Sequence, residues 1–277
     1  MQIVSAHGAD IPAIGLGTWQ SRGNECAQAV ADAISFGYRH IDTAGGMGYE
    51  NEEAVGEGIR ASKIGREQLF VTTKVAQENL AAGDFERSVE ASLGRLDLSY
   101  VDLVLIHWPS RRLSVTDTVR PLNEVKRRGL TRHIGVSNFT VEQLNEAWAA
   151  TDAPIVANQC EYHPYLNQDR VLAACRAHGT AFVSYCPLGR QIAFEEPVIV
   201  EIAKRIGRTP AQVILRWHVE QKAIPIPKSI SPERIRENFD IFNFSLTANE
   251  IRSISALTKS HRERICEFPD IAPKWDT

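Results

Sequence analysis

Residues 37–52, GYRHIDTAGGMGYENE, hold one complete strand–loop–helix unit, and their reading decides the class of fold. Tyr38 to Ile41 form a β-rich run that ends in Asp42. A glycine-rich loop follows, and Tyr49 stands just ahead of a helical pattern that begins near Asn51. An ionisable group where an apolar strand passes into a loop is where a barrel enzyme keeps its chemistry. Two later strand ends repeat the arrangement: Lys74 in FVTTKV and His107 in LVLIHWP. A tyrosine with its ordinary pKa of about 10 is a slow acid at neutral pH. A neighbouring ammonium favours the tyrosinate and lowers that pKa, and a carboxylate would hold the ammonium in place. Asp42, Tyr49, Lys74 and His107 are therefore candidates for one proton-donor set, provided the fold joins the three strand ends. Taken singly each has a plainer reading: a turn cap for Asp42, a structural ion pair for Lys74, a hydrogen-bonded core residue for His107.

The alternation of strand and helix continues on both sides of this unit. Upstream, 2–12 read as a hairpin turning at His7-Gly8-Ala9-Asp10, 11–19 as a buried strand, and 24–36 as a helix stopped by glycine. Downstream, strands at 69–75, 100–108, 133–138, 154–162, 181–187 and 223–228 follow the one at 40–44. Helices fall at 51–62, 84–96, up to about 129, 141–150, 168–178, 194–206, 209–221, 231–239 and 247–257. The tail, 258–277, is irregular and carries Phe268 and Trp275. The strands are short and almost continuously apolar, as expected when both faces are buried, and strict alternation with helices argues a parallel sheet. Eight such units in 277 residues predict an α/β fold of the (β/α)8 TIM-barrel type, with a short N-terminal hairpin and an irregular C-terminal tail. A doubly wound open sheet is the runner-up. No linker or repeat interrupts the chain, so 1–277 reads as a single domain.

Composition narrows the function. Hydrophobic residues make up 43% and charged residues 23% of the chain, ordinary values for a soluble protein, and the net charge of −3 offers no electrostatic case for nucleic acid. No apolar run reaches the roughly 18 residues of a membrane span. The first residues show no basic region followed by an apolar core, and the five scattered cysteines contain no CxxC pair. That pattern predicts reduced thiols in the cytoplasm and no metal site. GLGTWQ (15–20) has Gln20 where a dinucleotide fingerprint needs its last small residue, and GVSNF (135–139) lacks the second glycine of a nucleophile elbow. IPIPKSISPERIREN (224–238) is more telling. Ser231 suits a helix cap and Pro232 a first helical residue, so free N–H groups and the positive end of a helix dipole lie beside Lys228, Ser229 and Arg234. This reads as a cradle for one phosphate, against the plainer reading of a solvated helix start.

With these residues assembled, the chain resembles the aldo-keto reductase superfamily, nearest to the bacterial 2,5-diketo-D-gluconate reductase and methylglyoxal reductase type. GYRHIDTA, YENE, FVTTK, VDLVLIHWP, IGVSNF, NQCEYHPY and IPKSISPERIREN carry the likeness, which runs from GLGTW to the closing APKWD. The resemblance implies a barrel that binds NADPH across its C-terminal mouth and reduces a small carbonyl substrate by hydride transfer. It implies Asp42, Tyr49, Lys74 and His107 as the catalytic set, with Tyr49 the general acid, Lys74 held by Asp42, and His107 orienting the carbonyl. The implied cofactor contacts are Gly17, Thr18, Trp19, Asp42, Ser137, Asn138, Gln159, Tyr185, Pro187, Leu188, Lys228, Ser229, Arg234, Glu237 and Asn238. Among these, Ser137, Asn138 and Gln159 would hold the nicotinamide carboxamide, Tyr185 would stack on the ring, Lys228, Ser229 and Arg234 would take the 2′-phosphate, and Glu237 and Asn238 the adenine. Trp19, Tyr49, His107 and Trp108 would face substrate, and a monomer without nucleic-acid or membrane partners is implied.

Two departures from the family pattern bear on function. Tyr49 stands seven positions after Asp42 rather than five, with Met47 at the usual spacing, which reads as a two-residue lengthening within Gly45-Gly46-Met47-Gly48. Ala76 stands where the family often has tryptophan, which predicts a wider pocket on that side. The lengthening opens an alternative function, an NADPH-binding protein of low turnover because the 45–48 loop displaces Tyr49. A third reading, a barrel hydrolase using Glu161 with Asp42, predicts no nicotinamide binding.

Overall fold

Two antiparallel strands, β1 (Ile3–Ala6) and β2 (Ala9–Pro12), come first in the computed structural model, which describes residues 2–259 and 264–276. His7 and Gly8 join them with φ of 48° and 83°. Positive φ at both central residues is the two-residue turn whose twist suits a hairpin, so the turn is tighter than the four residues expected. The predicted strand 11–19 is interrupted: only Leu16–Gly17 (β3) joins the main sheet. Space is scarce there, since a Cβ on Gly17 would sit 2.7 Å from the Ile226 carbonyl oxygen and one on Gly15 2.7 Å from His40 Nδ1.

From β3 onward the chain alternates. α1 (Gly23–Phe36) ends at Gly37, whose φ of 111° no side chain tolerates readily. Then come β4 (His40–Asp42), α2 (Glu52–Ala61), β5 (Phe70–Val75), α3 (Asp84–Leu96), β6 (Val101–Ile106) and α4 (Val115–Arg127). β7 (Thr131–Ser137), α5 (Val141–Ala150), β8 (Ile155–Glu161), α6 (Asp169–Ala177) and β9 (Ala181–Tyr185) follow. α7 (Pro197–Ile206) and α8 (Pro210–Glu220) precede β10 (Ala223–Pro225), and α9 (Pro232–Phe239) and α10 (Ala248–Ser255) follow it. β10 is shorter than the 223–228 run in the sequence because Pro225 and Pro227 have no N–H to add to a ladder. Of the predicted tail, Thr258 and Lys259 finish a 3-10 turn, 264–276 form no regular element, and 260–263 and 277 lie outside the described residues.

Eight strands form one parallel sheet in the order β10-β9-β8-β7-β6-β5-β4-β3. Its two ends meet: Gly15 N–H donates to Pro225 O at 3.0 Å, Gly17 N–H donates to Pro227 O at 3.1 Å, and Gly17 pairs in parallel with Lys228. The result is a curled, TIM-barrel-like α/β arrangement with the N-terminal hairpin, not a doubly wound open sheet. Side chains alternate along each strand. Leu103 and Leu105 of β6, with Val183 and Ile224, pack inside against Ala6, Ala9 and Ile11 of the hairpin, which plugs one end. Val104 and Ile106 face outward into the layer that holds Val119 and Leu122 of α4. On β4 and β5, Ile41, Val71 and Val75 belong to the outer layer. Their neighbours Asp42 and Lys74 are thereby turned into the barrel interior, at the end opposite the hairpin. Among the described residues no helix is long and apolar enough to cross a membrane.

Candidate active site

Lys74 Nζ lies 2.5 Å from Asp42 Oδ1 and donates to the Thr43 carbonyl at 2.8 Å and to the Tyr49 phenol oxygen at 3.3 Å. Asp42 and Lys74 are completely buried and Tyr49 is 7% exposed. The other Asp42 oxygen accepts from Gln159 Nε2 at 2.7 Å. His107 follows β6 directly and its ring meets Tyr49 edge-on, with centroids 5.8 Å apart. The four residues separated by 65 positions in sequence are neighbours because β4, β5 and β6 are adjacent in the sheet.

The charges follow from this packing. Burial pushes the Tyr49 phenol up, and the opposing pull of the Lys74 ammonium does not reverse it. The expected lowering is therefore absent: Lys74 acts in the expected direction, but desolvation is larger. For Lys74, burial alone favours the neutral amine, yet attraction to Asp42 and Tyr49 and their hydrogen bonds carry its pKa above the ordinary lysine value. His107 is held well below the usual imidazole range by burial and by Lys74. At neutral pH Tyr49 is protonated, Lys74 is an ammonium and His107 is neutral. Because Lys74 donates to the phenol oxygen, the Tyr49 O–H is left to donate elsewhere.

The lengthened loop does not displace Tyr49. Gly45 still pairs with Val75, continuing β4 along β5. Gly46 to Tyr49 then form a tight turn closed by Tyr49 N–H donating to Gly46 O at 3.2 Å, with φ of 55° at Met47 and 84° at Gly48. Positive φ at both central residues defines a primed turn, which absorbs the added residues and returns the chain at once. Arg22 holds the far side, donating to Tyr49 O at 3.2 Å and pairing with Glu50 at 2.8 Å. A Cβ on Gly46 would lie 3.8 Å from Ala76 Cβ. The loop thus covers Ala76, and the small residue makes room for the loop instead of widening the pocket.

A cavity of about 310 Å³ opens above these residues. Trp19, Tyr49, His107 and Trp108 line it, as do Gly17, Asn138, Gln159, Tyr185, Pro187, Leu188 and Lys228. Asn138 donates to His107 O at 3.0 Å and accepts from the Tyr185 hydroxyl at 2.9 Å, while Ser137 Oγ donates to Gln159 O at 2.8 Å. Thr18 lies below, its hydroxyl donating to Asp42 O at 3.0 Å. Ser231 caps α9 as expected, accepting from Arg234 N–H at 3.3 Å. Ser229 and Asn238 are buried, Lys228 and Arg234 are exposed, and Glu237 accepts from the Thr209 hydroxyl. Thr18, Asp42, Ser137, Ser229, Arg234, Glu237 and Asn238 stand outside the residues that line the cavity. The sequence reading missed Met47, Cys186, Arg190, Gln191, Ile226, Pro227, Cys266 and Phe268 in the cavity wall. Nothing in the irregular tail marked Cys266, whereas Phe268 stood out in sequence only as one of the tail's aromatic residues.

These residues fit a nicotinamide dinucleotide phosphate. Tyr185 offers a flat ring, Asn138 and Gln159 offer amides, and His107 Nδ1 is a buried polar atom with no partner. Lys228 and Arg234 take part in no ion pair among the described residues, which leaves two cations for a phosphate.

A profile of the Aldo/keto reductase family matches residues 13–259. Morphine 6-dehydrogenase of Pseudomonas putida is 42% identical over 265 residues, covering 91% of this chain and 89% of its own. A crystal structure under the provisional name 2,5-diketo-D-gluconic acid reductase B is 42% identical, with a TM-score of 0.95 over 100% of this chain and 98% of its own. The Bombyx mori aldo-keto reductase solved in complex with NADP is 33% identical, with a TM-score of 0.90 over 98% of this chain and 97% of its own. The chain belongs to the aldo/keto reductase family.

Proposed function

We propose that this protein is an NADPH-dependent oxidoreductase that reduces aldehyde and ketone carbonyls to alcohols, with Tyr49 as general acid. The observation that carries the reading is the buried Asp42–Lys74–Tyr49 chain, with contacts of 2.5 and 3.3 Å, at the floor of a cavity walled by Trp19, Trp108 and Tyr185. When bound, the reduced nicotinamide supplies the hydride. Tyr49 donates its proton to the carbonyl oxygen, and the phenolate left behind is stabilised by the ammonium beside it. Asp42 keeps Lys74 charged and in place. Neutral His107 orients the carbonyl by hydrogen bonding without competing as an acid. Ser137, Asn138 and Gln159 hold the carboxamide, Tyr185 stacks on the ring, and Gly17, Thr18, Trp19, Pro187 and Leu188 border it. Lys228, Ser229 and Arg234 take the 2′-phosphate, and Glu237 and Asn238 the adenine. We further propose a single-domain, closed barrel over 1–277 that acts as a cytoplasmic monomer.

The cavity of about 310 Å³ lies at the small end of the range for ligand sites, which supports small aldehydes, keto-sugars or keto-acids as substrates. The relatives' names reach from a keto-sugar acid to the polycyclic alkaloid morphine, so they leave the choice to assay. The position of Tyr49 favours turnover over the low-turnover alternative. The test is loss of the NADPH absorbance with methylglyoxal, a keto-sugar acid and an aromatic aldehyde. Consumption with at least one is expected. None with any of the three, while NADPH fluorescence reports binding, would overturn the reading.

A further inference from the structure

Glu161, the last residue of β8, is a completely buried carboxylate that the proposed chemistry does not use. It is two positions beyond Gln159 on the same strand, and so on the same inward face. A buried charge is tolerated only when its oxygens are satisfied. For Glu161 they are satisfied by the C-terminal tail. Oε1 accepts the Ile265 backbone N–H at 2.6 Å and Oε2 that of Cys266 at 3.1 Å. Arg264 Nη1 stands 3.5 Å from Oε2, and His163 Nε2 is 3.1 Å from Oε1. With both oxygens engaged, Glu161 is not free for the hydrolytic role considered from sequence.

The segment so held forms part of the cavity wall. Cys266 and Phe268 line the cavity, and Phe268 lies edge-on to Trp108 with centroids 5.6 Å apart. The Arg264 guanidinium stacks 3.6 Å above Trp275, which in turn contacts Trp108 at 6.1 Å. Three further ties secure the far end: Asp276 accepts from Val141 N–H at 2.9 Å, Arg111 donates to Asp270 O at 2.9 Å, and Gln77 donates to Ile271 O at 3.5 Å. The tail has no helix or strand of its own between 264 and 276, so such contacts hold it. Glu161 is the only one of its anchors that is rooted in the sheet, among the described residues.

We infer that Glu161 is a positioning residue for substrate selection: it clamps the backbone of residues 265 and 266 and so fixes Cys266 and Phe268 as one wall of the cavity. The inference rests on the reductase reading for its kinetic consequence, though not for the clamp itself. The clamp acts through backbone N–H groups, so two changes from opposite sides test it. Glu161→Gln keeps the shape but loses the charge and one acceptor. Ile265→Pro removes one donor and leaves β8 untouched. Hydrogen bonds to a charged group are strong enough that either change is expected to raise KM for a bulky carbonyl about tenfold or more, with a smaller effect on kcat. Cleavage after Glu267 by a glutamate-specific protease, at a bond neither variant alters, is expected to speed up by a similar factor. The double variant is expected to be no worse than the worse single one, because both break the same contact.

Unchanged KM and unchanged cleavage in both variants would overturn the clamp, as would fully additive effects in the double variant. If Glu161→Gln fails to fold, Ile265→Pro alone decides the matter. If the wild-type protein turns over no carbonyl, the reductase reading fails, while the rates of cleavage after Glu267 still decide whether Glu161 holds the tail.

Discussion

The buried Asp42–Lys74 pair allows a prediction in which two damaging changes together do less harm than either would suggest. Both side chains have zero exposure, at a separation of 2.5 Å. Removing one partner of a buried pair strands the other charge and destabilises by about 3–5 kcal/mol, whereas removing both leaves no stranded charge. Asp42→Asn and Lys74→Met are thus each expected to lose about 3–5 kcal/mol. For a chain of this size that is a fall in Tm of roughly 6–20 °C, at about 2–4 °C per kcal/mol. In the double variant the asparagine side chain introduced in place of Asp42 would still accept from Gln159, and the main deficit would be the Thr43 carbonyl that Lys74 now satisfies, about 1–3 kcal/mol. The double variant should therefore lose far less than the sum of the singles, a coupling of about 3 kcal/mol or more. Thermal and urea unfolding would measure it, with activity set aside because all three variants should lack turnover. The pH dependence gives an independent sign. In the wild type the Lys74 pKa is raised, so its contribution is full below the unfolded-state lysine pKa and is lost as pH rises through the folded value. In Asp42→Asn the partner is gone and desolvation rules, so the folded pKa falls below the unfolded one and stability should recover as pH rises toward it. Additive losses, or the same pH trend in both proteins, would refute the ion-pair reasoning.

Three other expectations follow from the same site. Tyr49→Phe keeps the ring against His107 and Lys74 but removes the proton donor, so kcat should fall about 100- to 10,000-fold with NADPH affinity retained; unchanged turnover would mean that another acid serves. Lys228→Ala and Arg234→Ala should each weaken NADPH binding about tenfold or more and leave NADH binding nearly unchanged, read by fluorescence titration; equal effects on both nucleotides would remove the 2′-phosphate assignment. Because the Tyr49 phenol is pushed up and the His107 imidazole well down, the reduction rate should show no limb at the ordinary histidine pKa and should decline only above the ordinary phenol value. A rate that halves near the ordinary imidazole value would contradict a neutral His107.

The barrel-like fold was legible because its signal is repetitive. Strands such as VDLVLI and FVTTKV are apolar on both faces and alternate with helices that end at glycines or start at capping residues, as Gly37 and Ser231 do. Strand ends were less legible. Proline at 225 and 227, and the close approach of the Ile226 carbonyl to Gly17, shorten strands whose composition reads as continuous. The candidate site was visible in outline for a related reason: a charged residue closing an apolar strand is out of place unless it has a partner. What stayed hidden was the balance of effects at that site. The sequence places a lysine near a tyrosine, but only the packing shows that burial outweighs the lysine in setting the phenol's pKa.

Periodicity and residue type were enough to set out the order of strands and helices and the polar residues at strand ends, and the resemblance of the motifs pointed to the family. Those signals act locally along the chain. Packing in three dimensions settled where the lengthened loop goes and what Glu161 holds. The loop could have pushed Tyr49 away from Lys74. It does not, because left-handed backbone at Met47 and Gly48 folds the added residues into a turn over Ala76, a contact between β4 and β5 loops that no local pattern encodes. Glu161 and the tail are 104 residues apart and meet through backbone N–H groups, which every residue but proline carries. A side chain's identity announces its chemistry, but the partners of a backbone amide are chosen by the fold.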